Sequence, residues 1–308
     1  MSIEVLVLRH KVVVLYSLGF LIFILSGLAW FCHLQNNPEH VFYSAIRQGL
    51  FTRSVTVQTE ATSQSATLKL ATQMEFSPTQ VARSLDTVQS QGNTVTTEVI
   101  GTPKADYARY ISVKLAAKNA SSKPTEIPNL ANTWGKKDVQ SATSSANAGI
   151  FEQFLVGYTS NFGAVLPLAD LSSGQASSVF GQIKKDKLYT VDFAKVKTTS
   201  YNHRSAYSYD VSVSMGAEVR ITKILAARYG VTKPLSQVNP AAYDGRHFTV
   251  RMTVDKMSRH VVEVSATDGS SAQRYSGYDV TQQIIPPTKS VSLADLQEKL
   301  SSDINKSR

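Results

Sequence analysis

Few residues in this chain sit at spacings that do chemistry. His40, His203, His247 and His260 are dispersed at no metal-ligand spacing. His247 and His260 are expected to face each other across a hairpin, as cross-strand neighbours rather than a ligand pair. Asp186 and Asp192 bracket the start of a strand, which does not make the acid pair of a glycosidase. No nucleophile elbow, phosphate loop or zinc signature occurs. Asn119-Ala120-Ser121 is a glycosylation sequon, meaningful only in a glycosylating host. Cys32 is the single cysteine, so neither an internal disulfide nor a cysteine metal site is available. The inventory points to a protein that is not an enzyme and carries no cofactor or metal.

Another kind of chemistry remains, the burial of apolar surface. Leu68, Leu70, Met74, Val211, Val213, Phe248, Val250, Met252, Val262 and Val264 stand in rows that alternate with polar residues. Such rows have two readings. They are core beneath a layer of helices, or they line an apolar cavity for a lipophilic ligand, in which the two methionines would give an adaptable wall.

The elements that must position these rows are legible as periodicities. Asn37-Pro38-Glu39 reads as a helix start, with an Asn cap, Pro in the first turn and an acid at the positive end of the dipole. The helix is expected to stop at Gly49. Period-two strands follow over 51–115 and again over 188–285, giving eight or nine half-buried strands without βαβ alternation. Between them, 116–148 is rich in Ser, Asn, Ala and Lys and reads as a flexible insertion. Helical signals span Ile150 to Tyr158 and Ala164 to Lys185, the second interrupted near Ser172. A four-turn helix runs from Ala217 to Tyr229, and Ser292 caps a last one, with Asp295 three residues on. The fold class is α+β, one curved antiparallel sheet with helices on its apolar face.

Residues 244–300 carry a family resemblance. A strand ending in Val254-Asp255 leads through a turn to Val262-Glu263-Val264. Arg274-Tyr275-Ser276-Gly277-Tyr278-Asp279 then runs into Ile284-Ile285-Pro286-Pro287 and a short helix with Leu293, Leu296 and Leu300. This order resembles the closing segment of the LolA/LppX-type lipoprotein-carrier superfamily, and Asp106-Tyr107-Ala108-Arg109-Tyr110 is similar to that family's strand with a Tyr-x-Arg-Tyr pattern. The resemblance implies an incomplete barrel around helices with an apolar cavity that holds lipid or lipoprotein acyl chains. No ligand-contact residue of the family transfers one-to-one. The lipidation cysteine of its lipid-anchored members is missing, because Cys32 follows Trp30-Phe31 rather than a small residue.

The start of the chain says where the protein works. Arg9, His10 and Lys11 precede an unbroken apolar run beginning at Val12. About 20 apolar residues give ~30 Å of helix, the thickness of a bilayer core. The expected organisation is a cytoplasmic stub (1–11), a transmembrane anchor (12–34) and an extracytoplasmic domain (37–308). A signal peptide cleaved after Gly27-Leu28-Ala29 is the competing reading; the run continues through Trp30 and Phe31, which favours retention. Of 32 basic and 23 acidic residues only Arg9, Lys11 and Glu4 precede residue 36. The positive balance therefore belongs to the exterior and suits an anionic envelope surface. No recognition motif points to nucleic acid. Two functions stand: a tethered acceptor or local transfer protein for acyl chains, and an envelope scaffold or interaction module with a filled core.

Overall fold

The computed structural model describes residues 37–62, 65–117, 124–127, 132–139, 149–157, 162–231, 233–281 and 283–307, with Phe23, Ile24 and Ser26. The rest of the expected anchor and the sequon at 119–121 lie outside the described residues. Among those described, no helix is long and apolar enough to cross a membrane.

Helix α1 (Pro38–Gly49) begins as its residues dictate: the Asn37 side chain accepts the His40 amide at 3.0 Å, and proline occupies the first turn. Val41, Phe42, Ala45 and Ile46 form its buried stripe. Strands β1 (Ser54–Thr62), β2 (Ala66–Glu75), β3 (Val81–Ser90), β4 (Asn93–Gly101) and β5 (Ala105–Leu115) follow as an antiparallel meander. β3 turns into β4 through Gln91 and Gly92, both at positive φ, the conformation a two-residue hairpin loop requires. Two short strands, β6 (Thr125–Glu126) and β7 (Gly135–Asp138), pair with β5. Helices α2 (Ile150–Leu155) and α3 (Ser173–Lys185) lead to β8 (Tyr189–Val191), β9 (Lys197–Tyr201) and β10 (Arg204–Ser214). After α4 (Met215–Arg228) come β11 (His247–Asp255), β12 (Val261–Ala266), β13 (Ala272–Ser276), β14 (Val291–Ser292) and α5 (Leu293–Ser307).

Among the described residues fourteen strands make one sheet, in the order β14-β7-β5-β4-β3-β2-β1-β13-β12-β11-β10-β8, with β6 beside β5 and β9 beside β10. Only β14 and β7 run parallel. The two halves meet where β1 pairs with β13, Thr56 opposite Ser276. The sheet is open, its β14/β7 and β8 ends unpaired with one another.

One face of the sheet is the core face. Val55, Val57, Met74, Tyr209, Val211, Val250, Met252 and Val264 cluster with Phe42 and Ile46 of α1, Phe151 of α2, Ile183 of α3 and Ile221 and Leu225 of α4. This is the expected α+β arrangement of a curved sheet with helices on its apolar side.

Three local expectations are corrected. Residues 164–171 are not helical: Pro167 interrupts them, and the segment lies extended along the end of α1. There the Ala169 amide donates to the Gly49 carbonyl and that of Leu171 to the Leu50 carbonyl, each at 3.0 Å. Gly49 permits the approach, because a Cβ there would sit 2.8 Å from the Pro167 carbonyl oxygen. Within 116–148, expected as a flexible excursion, the described residues include β6 and β7, which extend the sheet beyond β5. Phe193, expected from period two to share a row with Tyr189 and Val191, starts a 3-10 turn instead, and a hairpin strand, β9, follows it.

Candidate functional site

The register of β11 and β12 fixes most of the candidate wall. Met252 lies opposite Tyr209 on one side and Val264 on the other, and Val250 lies opposite Val211. Met74, Val211, Val213, Val250, Met252 and Val264 are all at most 1% exposed and lie in the main core cluster. Phe248, at the start of β11, is half-buried against the same cluster. Val262 does not share the row. The register shifts between Thr253 and Val254, so that Val261 faces Val254 and takes the buried place expected of Val262.

These residues therefore pack against helices instead of lining a common cavity. A void of about 40 Å³ between the sheet and the helices is bounded by Val57, Leu155, Leu225, Gln273 and Tyr275 among others, and by none of the candidate residues. That is room for about one water, whereas ligand pockets run to roughly 300–1,000 Å³.

Leu68 and Leu70 have a different environment. They lie on the core face of β2, but beyond the reach of the main helical cover: Leu68 is 37% exposed and Leu70 half-buried. The register places Val88 opposite Leu68 and Asp86 opposite Leu70. Val95 follows opposite Val88, and Thr97 opposite Asp86. Val88 is 42% exposed. On the far side, Leu300 and Ile304 of α5 pack with Val95, Tyr110, Val113 and Ile127. On the near side, α2 contacts β3 and β4. Leu68, Leu70 and Val88 thus form an apolar strip on the core face, between the cover of α2 and that of α5.

A polar margin separates this strip from the sealed core. The Thr72 and Ser84 hydroxyls are 3.2 Å apart, and the Ser84 hydroxyl donates to Asp86 Oδ1. Burial pushes the Asp86 carboxyl above its ordinary value, against the hydrogen bond from Ser84. Across β1, the Gln273 amide donates to the Thr59 hydroxyl at 3.3 Å, and the Tyr275 hydroxyl donates to Gln273 Oε1 at 3.0 Å. Sequence reasoning missed Val88, Asp86 and Gln273. On the core face β3 reads Ala82, Ser84, Asp86, Val88, which carries no apolar alternation; only the pairing with Leu68 and Leu70 gives those positions meaning.

The titratable residues considered in the sequence lie apart from one another. His247 pairs with Ser214 on β10 and does not face His260. His260 lies at the other end of the hairpin and stacks on Tyr278 at 4.0 Å; the correction follows from the length of β11, which separates its two ends. Asp186 is bound by Arg220 at 2.9 Å and Asp192 by Lys195 at 3.0 Å. Among the described residues no group of three or more His, Cys, Asp or Glu could hold a metal ion.

No protein-family model matches the chain, and no curated protein does. Among solved structures, the crystal structure of LprF from Mycobacterium bovis is similar, with a TM-score of 0.39 and 10% identity over 82% of this chain and 97% of that one. At that level no residue role carries across.

Proposed function

We propose that the protein is a membrane-tethered, extracytoplasmic, non-catalytic binder of lipophilic chains. It holds an acyl chain of a lipid or lipoprotein along the open strip of Leu68, Leu70 and Val88, as a local acceptor or transfer protein. The observation that carries this reading is that strip: branched apolar side chains on the core face, left without helical cover among the described residues. The apolar run after Arg9-His10-Lys11 supports the tether, and the resemblance of residues 244–300 to the LolA/LppX-type carriers agrees with the ligand class. A second reading is favoured by the 40 Å³ interior void, namely a scaffold whose core is filled.

Photolabelling of the full-length protein with a diazirine-bearing fatty acid separates the two. Label concentrated in peptides covering 66–72 and 84–90, and lost in Val88→Glu without loss of thermal stability, is the result expected of the binder. A folded protein that takes up no label, or takes it up evenly, leaves the scaffold.

A further inference from the structure

The described domain begins at Asn37, three residues after Leu34, where the expected span ends. Three extended residues reach ~10 Å at most, and the headgroup layer itself is roughly 5–7 Å thick. Whatever surrounds the start of α1 therefore lies against the outer leaflet of the membrane that holds the tether. This step rests on the tether in the function proposed above.

Around that start the fold gathers cations and aromatic rings. The Tyr209 hydroxyl donates to the Pro38 carbonyl at 2.9 Å. The Phe193 ring lies 6.0 Å from Tyr43 and 6.4 Å from Tyr209. On one side, Lys184 Nζ sits 4.7 Å from the centre of the Tyr43 ring, and Lys187 lines a groove of about 250 Å³ with Glu39 and Tyr43. On the other side, Lys256 Nζ lies 3.9 Å from the Tyr207 ring, itself 6.0 Å from Tyr209. The next residue, Met257, is 67% exposed in the turn between β11 and β12. The neighbouring acids are accounted for locally, apart from Glu39. Asp192 binds Lys195, and Asp255 turns inward to accept the amides of Met257 and Ser258. Lys184, Lys187 and Lys256 form no ion pair among the described residues. Lysine stems lying over rings, with an apolar side chain beside them, suit the boundary between water and headgroups.

We infer that this surface, formed by the start of α1, the α3–β8 turn, the turn at Phe193 and the β11–β12 turn, docks on anionic phospholipid headgroups. It holds the domain against the bilayer instead of leaving it to swing on its short linker.

The test uses the full-length chain in nanodiscs of phosphatidylcholine, with and without one-third phosphatidylglycerol. Hydrogen exchange is expected to slow in 193–197 and 255–260 only in the anionic discs. The protection should disappear in the triple variant Lys184→Glu, Lys187→Glu, Lys256→Glu, and in wild type at high salt, which needs no variant. Equal exchange in both discs, or protection confined to another surface, overturns the proposal. Chain that separates from discs of both kinds refutes the tether. Docking is then read from flotation with anionic and neutral vesicles. Charge-dependent flotation, weakened roughly five-fold per lysine removed, upholds the docking surface, and absence of flotation overturns it.

Discussion

Glu98 is a carboxylate 3% exposed on the outer face of β4, gripped by Arg83 Nε and Arg109 Nε at 2.6 Å each. Arg109 also lies 4.6 Å over the Trp134 ring, tying the segment before β7 to the outer face. Glu98→Ala should cost about 2–3 kcal/mol in chemical denaturation, below the full price of breaking a buried pair because both arginines keep some access to water. Burial pushes the Glu218 carboxyl up to about 7 from an ordinary 4.5, against the amide of Ala164. Burial likewise raises Asp106 to about 6 from 3.8, against the Ile150 amide and Lys137, with Glu152 adding to the rise. Both groups hold a proton more tightly folded than unfolded. Their contribution to stability is thus complete below the unfolded values and lost as pH rises through the folded ones. The melting temperature should fall between pH 5 and pH 7.5. Glu218→Gln should flatten the upper part of that fall and exceed wild type at pH 7.5 by roughly 2–3 kcal/mol. Glu98 and Glu218 did not stand out in the sequence, because alternation assigns a face while only the register sets Glu98 between Arg83 and Arg109.

Elements with an unambiguous period were legible. The Asn37 cap, the end of α1 and the Ser292–Asp295 reciprocal cap of α5 formed as the sequence indicates. The run at 164–171 misled because its apolar residues satisfy a helical stripe, whereas Pro167 and the free carbonyls at the end of α1 favour an extended path. At β12 an inserted bulge residue moved burial from Val262 to Val261, which period-two reading cannot foresee. In β11, Val250 is 1% exposed. Val250→Asp should unfold the domain, as circular dichroism would report, since an unpaired buried carboxylate costs several kcal/mol against a total of ~5–15. The helix α5 is held by a close approach: a Cβ on Gly135 would lie 2.9 Å from Leu296 Cδ2 and 3.1 Å from the Leu293 Cα. Gly135→Val should release α5, detected as protease trimming near 293 while the core strands stay protected.

At the scale of the molecule, cover is uneven. Among the described residues, helices seal the half of the sheet around β10–β13 and the near ends of β1–β4, and leave the far ends of β2 and β3 uncovered. Native-state hydrogen exchange should therefore grade along single strands, with 66–70 and 86–90 opening far more readily than 72–75 and 250–254. The sequence showed the apolar rows but not this division. It depends on where α2 stops and α5 begins: the helical signal at 150–158 was legible, but the extended path of 164–171 after it was not. For the same reason six of the ten candidate residues proved to be sealed core, and the open strip kept only Leu68 and Leu70 from that set.

The seam between β1 and β13 joins positions more than two hundred residues apart, Thr56 with Ser276. A chain emerging from its amino end presents β1 to β5 as a formed or forming meander whose β1 edge has no neighbour until nearly all the rest has arrived. Unsatisfied strand edges are templates for wrong partners, and closing such a distant pairing is slow. Such a chain passes through a vulnerable interval, during which a holding partner must keep copies apart. A chain truncated before residue 270 should remain in that interval permanently, and aggregate.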